Sequence, residues 1–394
     1  MGLVLVVTGC VATGPTALTD CNRYGGVTFD PDQLLVTHDG ALVAAGVSVH
    51  EPACILGVPR DGWRPTAFRS TDRGETWVES NLPAPSRFVP QSTVNSVAEA
   101  EDGRLYAAVG IPSANWASYL FDDKWDSALA VSNDGGAKWQ SLPRPPMGGW
   151  IAAIAAGRDG RLFANVCNWN AGVMRSDDAG EHWSRTGLKY PPIQSCSAPL
   201  HRDDAGHLYA FAGGSDGPGV YRSSDNGEQW TRLPIAYSSY ERDQPLVTIK
   251  SHGRFVIVVI SVAAAFGPST FYGSADGGET WVRFRPPLKT PAFGVAVGPK
   301  GQLFLLQQEE LFSLKLRNTF FSPDFGASWE DRPPIATESP YGVQVVFDDA
   351  GTLYYGVTPD LVLHPPGTFG GRIYRSEDTG LTWKTLPVLP PVTQ

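Results

Sequence analysis

The chain has 394 residues, of which 42% are apolar and 18% charged, with 43 glycines and 33 prolines. The apolar content is enough for a large core, and the charged fraction lies below the about 25% of ordinary domains, so a disordered, solvating chain is excluded. The formal net charge is -9 and there is no run of basic residues. Nucleic acid is therefore excluded as a partner, because its recognition depends on clustered Lys and Arg.

The N-terminus carries a short apolar run that ends in Val7-Thr8-Gly9-Cys10. These four residues resemble the bacterial lipobox, whose cysteine is acylated, so Cys10 is a candidate lipidation site. Residues 1–21 are then the end of a lipoprotein-type signal and a tether. A signal peptide begins with basic residues, which Met1-Gly2 does not supply. The alternatives are a start further upstream or an ordinary buried strand with an unrelated cysteine.

The rest of the chain is dominated by one pattern, Ser-x-Asp-x-Gly-x-x-Trp, with its four fixed positions filled in all seven copies. The copies begin at Ser70, Ser132, Ser176, Ser223, Ser274, Ser322 and Ser376. Their tryptophans are separated by 44 to 62 residues, a period typical of propellers and solenoids.

A second element, Gly-x-(Leu or Phe)-(Val, Tyr or Phe), precedes each copy of the first. Its glycines are Gly40, Gly103, Gly160, Gly206, Gly253, Gly301 and Gly351. Glycine at a turn between alternating apolar runs indicates a hairpin, so each repeat is predicted as strand A, turn, strand B, variable loop, strand C, box turn and strand D. Four antiparallel strands make one propeller blade. We therefore predict an all-β, seven-bladed propeller over residues 22–394, with one box per blade.

The chemistry of the box accounts for its residues without catalysis. A carboxylate such as that of Asp72 can accept hydrogen bonds from turn N–H groups, and a glycine such as Gly74 can take a positive φ. The following Trp77 can bury a large ring against the outer strands and the neighbouring blade. We therefore interpret the Ser, Asp and Trp of the box as structural.

In these residues the chain resembles the Asp-box, or bacterial neuraminidase repeat, superfamily of propellers. Members include sialidases, xyloglucanase-type endoglucanases, the luminal domain of sortilin and photosystem II assembly factors. The resemblance covers residues 30–388. It implies the propeller fold and a box remote from any active site, and it leaves the function open.

Strand direction sorts the connections onto two faces of the predicted propeller. The A–B turns and Asp boxes share one face, which we call the turn face, and the longer B–C and D–A loops share the other, the loop face. Because rigid scaffolds carry function on variable loops, we expect the site on the loop face. All five tryptophans outside the boxes fall there, in the first three repeats. The candidate ligand-binding residues are Trp63, Trp116, Trp125, Trp150, Trp169, Tyr119, Arg64, Asp122 and Asp126. The alternative is that these rings only pack the long loops onto the propeller.

Four cysteines remain beside Cys10, an even number that suits an oxidising, exported location. We expect a Cys167–Cys196 disulfide, because strand B of the third repeat ends near the first and strand A of the fourth begins near the second. A Cys21–Cys54 bond would tie the N-terminal segment to the first repeat. The alternative is four buried free thiols.

No catalytic residue, metal or cofactor is assigned from the sequence. Sialidases have six blades and an Arg-Ile-Pro motif, which is missing here, and the xyloglucanase cleft needs two propellers. A single-propeller glycosidase with paired carboxylates would use acids such as Asp122, Asp123 and Asp126, which also suit a polar loop tip. The Gly-x-Ser-x-Gly string at residues 213–217 falls in a B–C loop rather than the strand-to-helix turn that a nucleophile elbow needs.

Two hypotheses follow. The first is an exported, lipid-anchored, non-catalytic propeller that binds a glycan, peptide or protein and meets the membrane only through its N-terminal lipid. The alternative is a glycoside hydrolase, which would need two carboxylates facing each other across a pocket.

Overall fold

The computed structural model describes twelve stretches of the chain: residues 28–49, 63–85, 93–110, 127–146, 149–167, 172–189, 199–236, 245–262, 269–310, 313–335, 340–359 and 372–387. They are all-β, and none of them contains a helix that is long and apolar enough to cross a membrane.

Each of the seven sequence repeats contributes four strands in chain order. The first three repeats contain β1 (Thr28–Val36), β2 (Leu42–Val49), β3 (Trp63–Ser70), β4 (Val78–Asn81), β5 (Thr93–Glu99), β6 (Leu105–Gly110), β7 (Ser127–Ser132), β8 (Gln140–Leu142), β9 (Trp150–Ala156), β10 (Leu162–Cys167), β11 (Gly172–Ser176) and β12 (Ser184–Lys189). The fourth and fifth contain β13 (Leu200–Arg202), β14 (Leu208–Gly214), β15 (Gly217–Ser223), β16 (Thr231–Arg232), β17 (Pro245–His252), β18 (Phe255–Val262), β19 (Thr270–Ser274) and β20 (Val282–Phe284). The last two contain β21 (Ala292–Val297), β22 (Leu303–Glu310), β23 (Ser313–Ser322), β24 (Glu330–Arg332), β25 (Pro340–Phe347), β26 (Leu353–Pro359), β27 (Arg372–Ser376) and β28 (Lys384–Leu386).

The strands of a repeat pair antiparallel with their chain neighbours, as predicted. Five repeats form separate four-stranded sheets, and the third and fourth repeats share one eight-stranded sheet. The first strands of successive repeats contact one another from β1 through β5, β9, β13, β17 and β21 to β25, and β25 contacts β1. The fold is therefore a propeller of four-stranded antiparallel blades, with strand A innermost.

The core lies between repeats rather than inside one. Within the described residues, each of the seven hydrophobic clusters joins one repeat to the next, and one of them joins the seventh repeat to the first. In that last cluster Leu42 and Phe68 of the first repeat pack with Tyr354, Ile373 and Leu386 of the seventh. The ring is thus closed by apolar packing of the last repeat on the first.

Candidate functional site

The seven Asp boxes form one hydrogen-bonded turn repeated around the ring. In the first copy Ser70 Oγ donates to Asp72 Oδ1 over 2.7 Å and accepts from the Gly74 N–H at 2.8 Å. Asp72 Oδ1 accepts from the Thr76 N–H at 2.8 Å, and Gly74 has φ +89°. The same three bonds recur in every other copy. The role predicted for the aspartate is confirmed, and the buried serine, interpreted from the sequence as structural, bonds both the aspartate and the glycine of the turn.

The box carboxylates are held in their charged form by these bonds. Hydrogen bonds from the Thr76 side chain and backbone lower the pKa of Asp72 to about 2. The same partners from Thr280 lower the pKa of Asp276 to about 2. Because these carboxylates are already occupied within their own turns, the boxes are structural elements.

The box tryptophans seal the seams between repeats. Each of the seven packs against the cluster between its own repeat and the preceding one. For example, Trp281 meets Tyr209 edge to face with ring centroids 6.5 Å apart, a favoured aromatic geometry. The predicted packing of these rings against the neighbouring blade is confirmed, and the rings are half-buried there.

Of the predicted ligand-binding residues, three lie in described stretches. Trp63 begins β3 and pairs with Val49, Arg64 beside it is exposed, and Trp150 begins β9. The others lie outside the described residues: Trp116, Trp125, Trp169, Tyr119, Asp122 and Asp126. So do Asp123, Cys10, Cys21, Cys54 and Cys196. Their roles stay predictions.

Trp150 joins the second and third repeats at the loop face. A methyl group built on Gly110 would lie 2.7 Å from Trp150 Cδ1 and 2.8 Å from Ser127 Oγ, so the indole packs directly over a position that lacks a side chain. Gly110 ends β6 and pairs with Ser127, which begins β7. These two residues flank residues 111–126 in the sequence, and the Ile151 N–H donates to Ser127 Oγ at 3.2 Å. The half-buried ring of Trp150 therefore lies beside the strand ends that flank two more predicted site tryptophans.

A cysteine lies beside this ring. Cys167 ends β10, pairs with Trp150 across the sheet and is disulfide-bonded. Because Cys196 lies outside the described residues, the Cys167–Cys196 pairing stays a prediction.

The turn face contains a cavity of about 300 Å³ between the first and second repeats, which sequence reasoning did not find. It is lined by Thr37, His38, Asp39, Arg69, Glu99, Glu101, Asp102, Gly103, Leu105 and Gly135. Two of its acids already have partners: Asp39 is 2.9 Å from Arg69 of the same repeat, and Glu99 accepts a hydrogen bond from the His38 N–H at 2.8 Å. The second contact links the A–B turn of the first repeat to the second repeat.

Other candidate motifs also have structural explanations. Gly214 and Gly217 pair across the tight β14–β15 turn, so the Gly-x-Ser-x-Gly string is a hairpin, as expected. His207 lies in an A–B turn, where its Nδ1 is 2.8 Å from Asp203 Oδ2. Among the described residues there is no group of three or more His, Cys, Asp or Glu side chains that could hold a metal ion.

Comparison with known proteins matched solved structures only, since no protein-family model and no curated protein matches the chain. YCF48 from Cyanidioschyzon merolae is 14% identical, with 77% of this chain and 88% of that chain covered and a TM-score of 0.48. A structure of YCF48 bound to D1 peptide is 15% identical, with 84% and 94% covered and a TM-score of 0.49. The Hadza microbial sialidase Hz136 is 15% identical, with 84% of this chain but only 63% of that chain covered and a TM-score of 0.47. The ring of four-stranded antiparallel sheets makes the chain a β-propeller, and each of its seven repeats carries one Ser-x-Asp-x-Gly-x-x-Trp turn.

Proposed function

We propose that this chain is a non-catalytic binding propeller that holds a glycan, peptide or protein partner on its loop face, over the first three repeats. The observation that carries the proposal is Trp150, whose half-buried ring packs over Gly110 at the end of β6. This contact brings the start of β9 against the strand end that directly precedes residues 111–126, which include Trp116 and Trp125. Clustered tryptophans are enriched in binding sites because a large amphipathic surface is immobilised at little entropic cost.

A glycan array and a peptide array probed with the soluble protein test this proposal. Trp116→Ala and Trp125→Ala should each weaken the best hit by about 30-fold or more, the effect of losing a binding hot spot, with little change in melting temperature. Val282→Ala, on an outer strand where the side chain is 67% exposed, is the matched control. Unchanged binding in both tryptophan variants would refute the site. Turnover of a glycoside that Asp126→Asn abolishes would instead make the chain a hydrolase.

We infer that the propeller has seven blades. In the eight-stranded sheet the third and fourth repeats are joined through one pair, Lys189 of β12 with Gly213 of β14. Each half has four strands and one box, like the separate sheets. Two blades that pack together like the others and share one strand-paired residue pair therefore account for this sheet. A crystal structure with six or eight blades would contradict the count.

We propose that the protein is exported and anchored by a lipid on Cys10, from the lipobox resemblance. Radiolabelled palmitate should be incorporated into the protein in bacterial cells, and Cys10→Ala should abolish the label and release the protein from the membrane fraction. Equal labelling of both forms would overturn the assignment.

We propose that Cys167 pairs with Cys196, and Cys21 with Cys54. Peptide mapping of the unreduced protein should recover both linked pairs. The recovery of Cys167 in a link to any other cysteine would refute the pairing.

A further inference from the structure

One lysine occupies a position that the other repeats fill differently. Lys250 of β17 pairs with Ile257 of β18. In each repeat, one strand-A residue pairs with the strand-B residue that lies opposite the box serine. Lys250 comes one residue before that position. The pairing register defines its equivalents in the other repeats as Leu35, Ala98, Ala155, His201, Ala296 and Val346. Five of these six are apolar and none has a carboxylate.

The equivalent positions belong to the seams between repeats. Ala155 and Ala296 are buried in inter-repeat clusters, and Val346 packs against another. Ile257, which shares a sheet face with Lys250 because directly paired residues point the same way, belongs to the cluster between the fifth and sixth repeats. Lys250 therefore carries its ammonium on an innermost strand, at a seam position that is apolar in five of the other six repeats.

The part of the chain that the structure describes supplies no charge that balances this lysine. Among the described residues, no carboxylate and no hydrogen-bond acceptor pairs with its ammonium, and burial lowers the pKa of Lys250. His201, the polar residue among the six equivalent positions, forms a hydrogen bond with Ser251, with 2.7 Å between its Nε2 and Ser251 Oγ. Further dehydration of a half-buried ammonium without a partner is costly, so an anion that neutralised the charge at this position would be favoured.

The side of β17 that carries Lys250 also carries a residue that is exposed near the loop face of the propeller. Val247 and Ile249 point into the cluster shared with the fourth repeat, so Leu246, Thr248 and Lys250 point the other way. Leu246, at the start of the strand, is 41% exposed, and Thr248 and Lys250 are half-buried. An exposed apolar residue, a hydroxyl and an ammonium thus follow one another over about 13 Å of strand.

We propose that the axial seam between the fifth and sixth repeats binds a small monovalent anion, a carboxylate or a halide, at the ammonium of Lys250. One anion would neutralise one cation, and Thr248 could donate a hydrogen bond to it. The site differs from the tryptophan site in the first three repeats and does not depend on it.

Thermal unfolding at constant ionic strength tests the proposal, with acetate or bromide replacing the bulky sulfonate buffer HEPES. Either anion should raise the melting temperature of the native protein, and the unfolding equilibrium should shift by about 100-fold at a hundred times Kd. Lys250→Met should remove the effect. Lys300→Met, at an exposed lysine of an A–B turn, should retain it. Acetate acting without bromide would identify the ligand as a carboxylate.

Crystals of the native protein soaked in bromide provide a test that needs no variant. Anomalous density beside Lys250 is expected if bromide stabilises the native protein. The proposal would be overturned, with the tryptophan site unaffected, by equal stabilisation of all three proteins, by no stabilisation from either anion, or by soaked crystals with no bromide at Lys250 when bromide does stabilise the native protein.

Discussion

Closure of the ring can be tested at Leu386, the last residue of β28. Its side chain is 3% exposed and packs in the cluster between the seventh and first repeats. A methyl group built on Gly74 would overlap Leu386 Cδ1, so the leucine reaches the box of the first repeat. If the first and last repeats were not packed together, this side chain would face solvent.

Leu386→Ala should therefore cost about 3 kcal/mol, within the range for truncating a buried leucine and leaving a cavity. A chain of this length has an unfolding entropy of about 0.8 kcal/mol per kelvin at about 2.1 cal/mol/K per residue. The expected decrease in melting temperature is then about 4 °C, measured by tryptophan fluorescence during a thermal scan.

Leu381→Ala is the matched control, because Leu381 lies five residues earlier in the same repeat and is 50% exposed. An exposed position of this kind should change stability by less than about 0.5 kcal/mol. If the two variants melted at the same temperature, the closed ring would be wrong.

Three further predictions concern the loop face, the boxes and the seams. Gly110→Ala should cost about 1–3 kcal/mol by overpacking and change the near-ultraviolet dichroism of the indole above it. Gly187→Ala, where nothing lies within 4 Å of the added methyl group, should change neither, and equal effects would refute the contact. The pKa of Asp276 is lowered from 3.8 to about 2 in the folded state, so its contribution to stability is present above pH 3.8 and lost as the pH falls toward 2. Melting temperature measured from pH 5 to 2 should fall, and less steeply in Asp276→Asn; parallel curves would contradict this. The Glu75 carboxylate is 3.0 Å from Arg375 across the seam between the seventh and first repeats. Glu75→Gln should cause a small loss of stability that disappears near about 1 M salt. A loss independent of salt would argue against an ion pair.

The architecture could be predicted from the sequence because the same pattern of turn glycine and box occurs seven times along the chain. The positions of Gly40 and Ser70 indicated the A–B turn and the end of strand C, and β2 and β3 lie where these markers place them. The short outer strands were less accessible, since β16 comprises only Thr231–Arg232 and is set by pairing with β15 rather than by an apolar pattern. The partners of the repeats across the seams could not be predicted either, because nothing in a single repeat states which residues of the next one it meets.

The candidate site was harder to predict than the fold for a related reason. Trp150 was named from its position in a loop-face segment, but the contact that orients it depends on Gly110, which lies forty residues earlier and has no chemistry of its own. The cavity on the turn face was missed because its lining comes from two repeats, each of which looks like a solvated turn alone.

The register that makes the fold predictable also shows where the repeats depart from one another. At the level of Lys250 most repeats supply an apolar residue that packs the seam, so a lysine there weakens a seam that alanine or valine would stabilise. Natural sequences are locally consistent with their fold, and their exceptions concentrate at functional sites. Trp150 over Gly110 and Lys250 in the axial seam are two such exceptions, at opposite sides of the ring. An acid group presented by a partner on the loop face could reach Lys250 from the side where Leu246 is exposed. If the anion site and the tryptophan site serve one partner, acetate should compete with that partner for the native protein and should not do so for Lys250→Met.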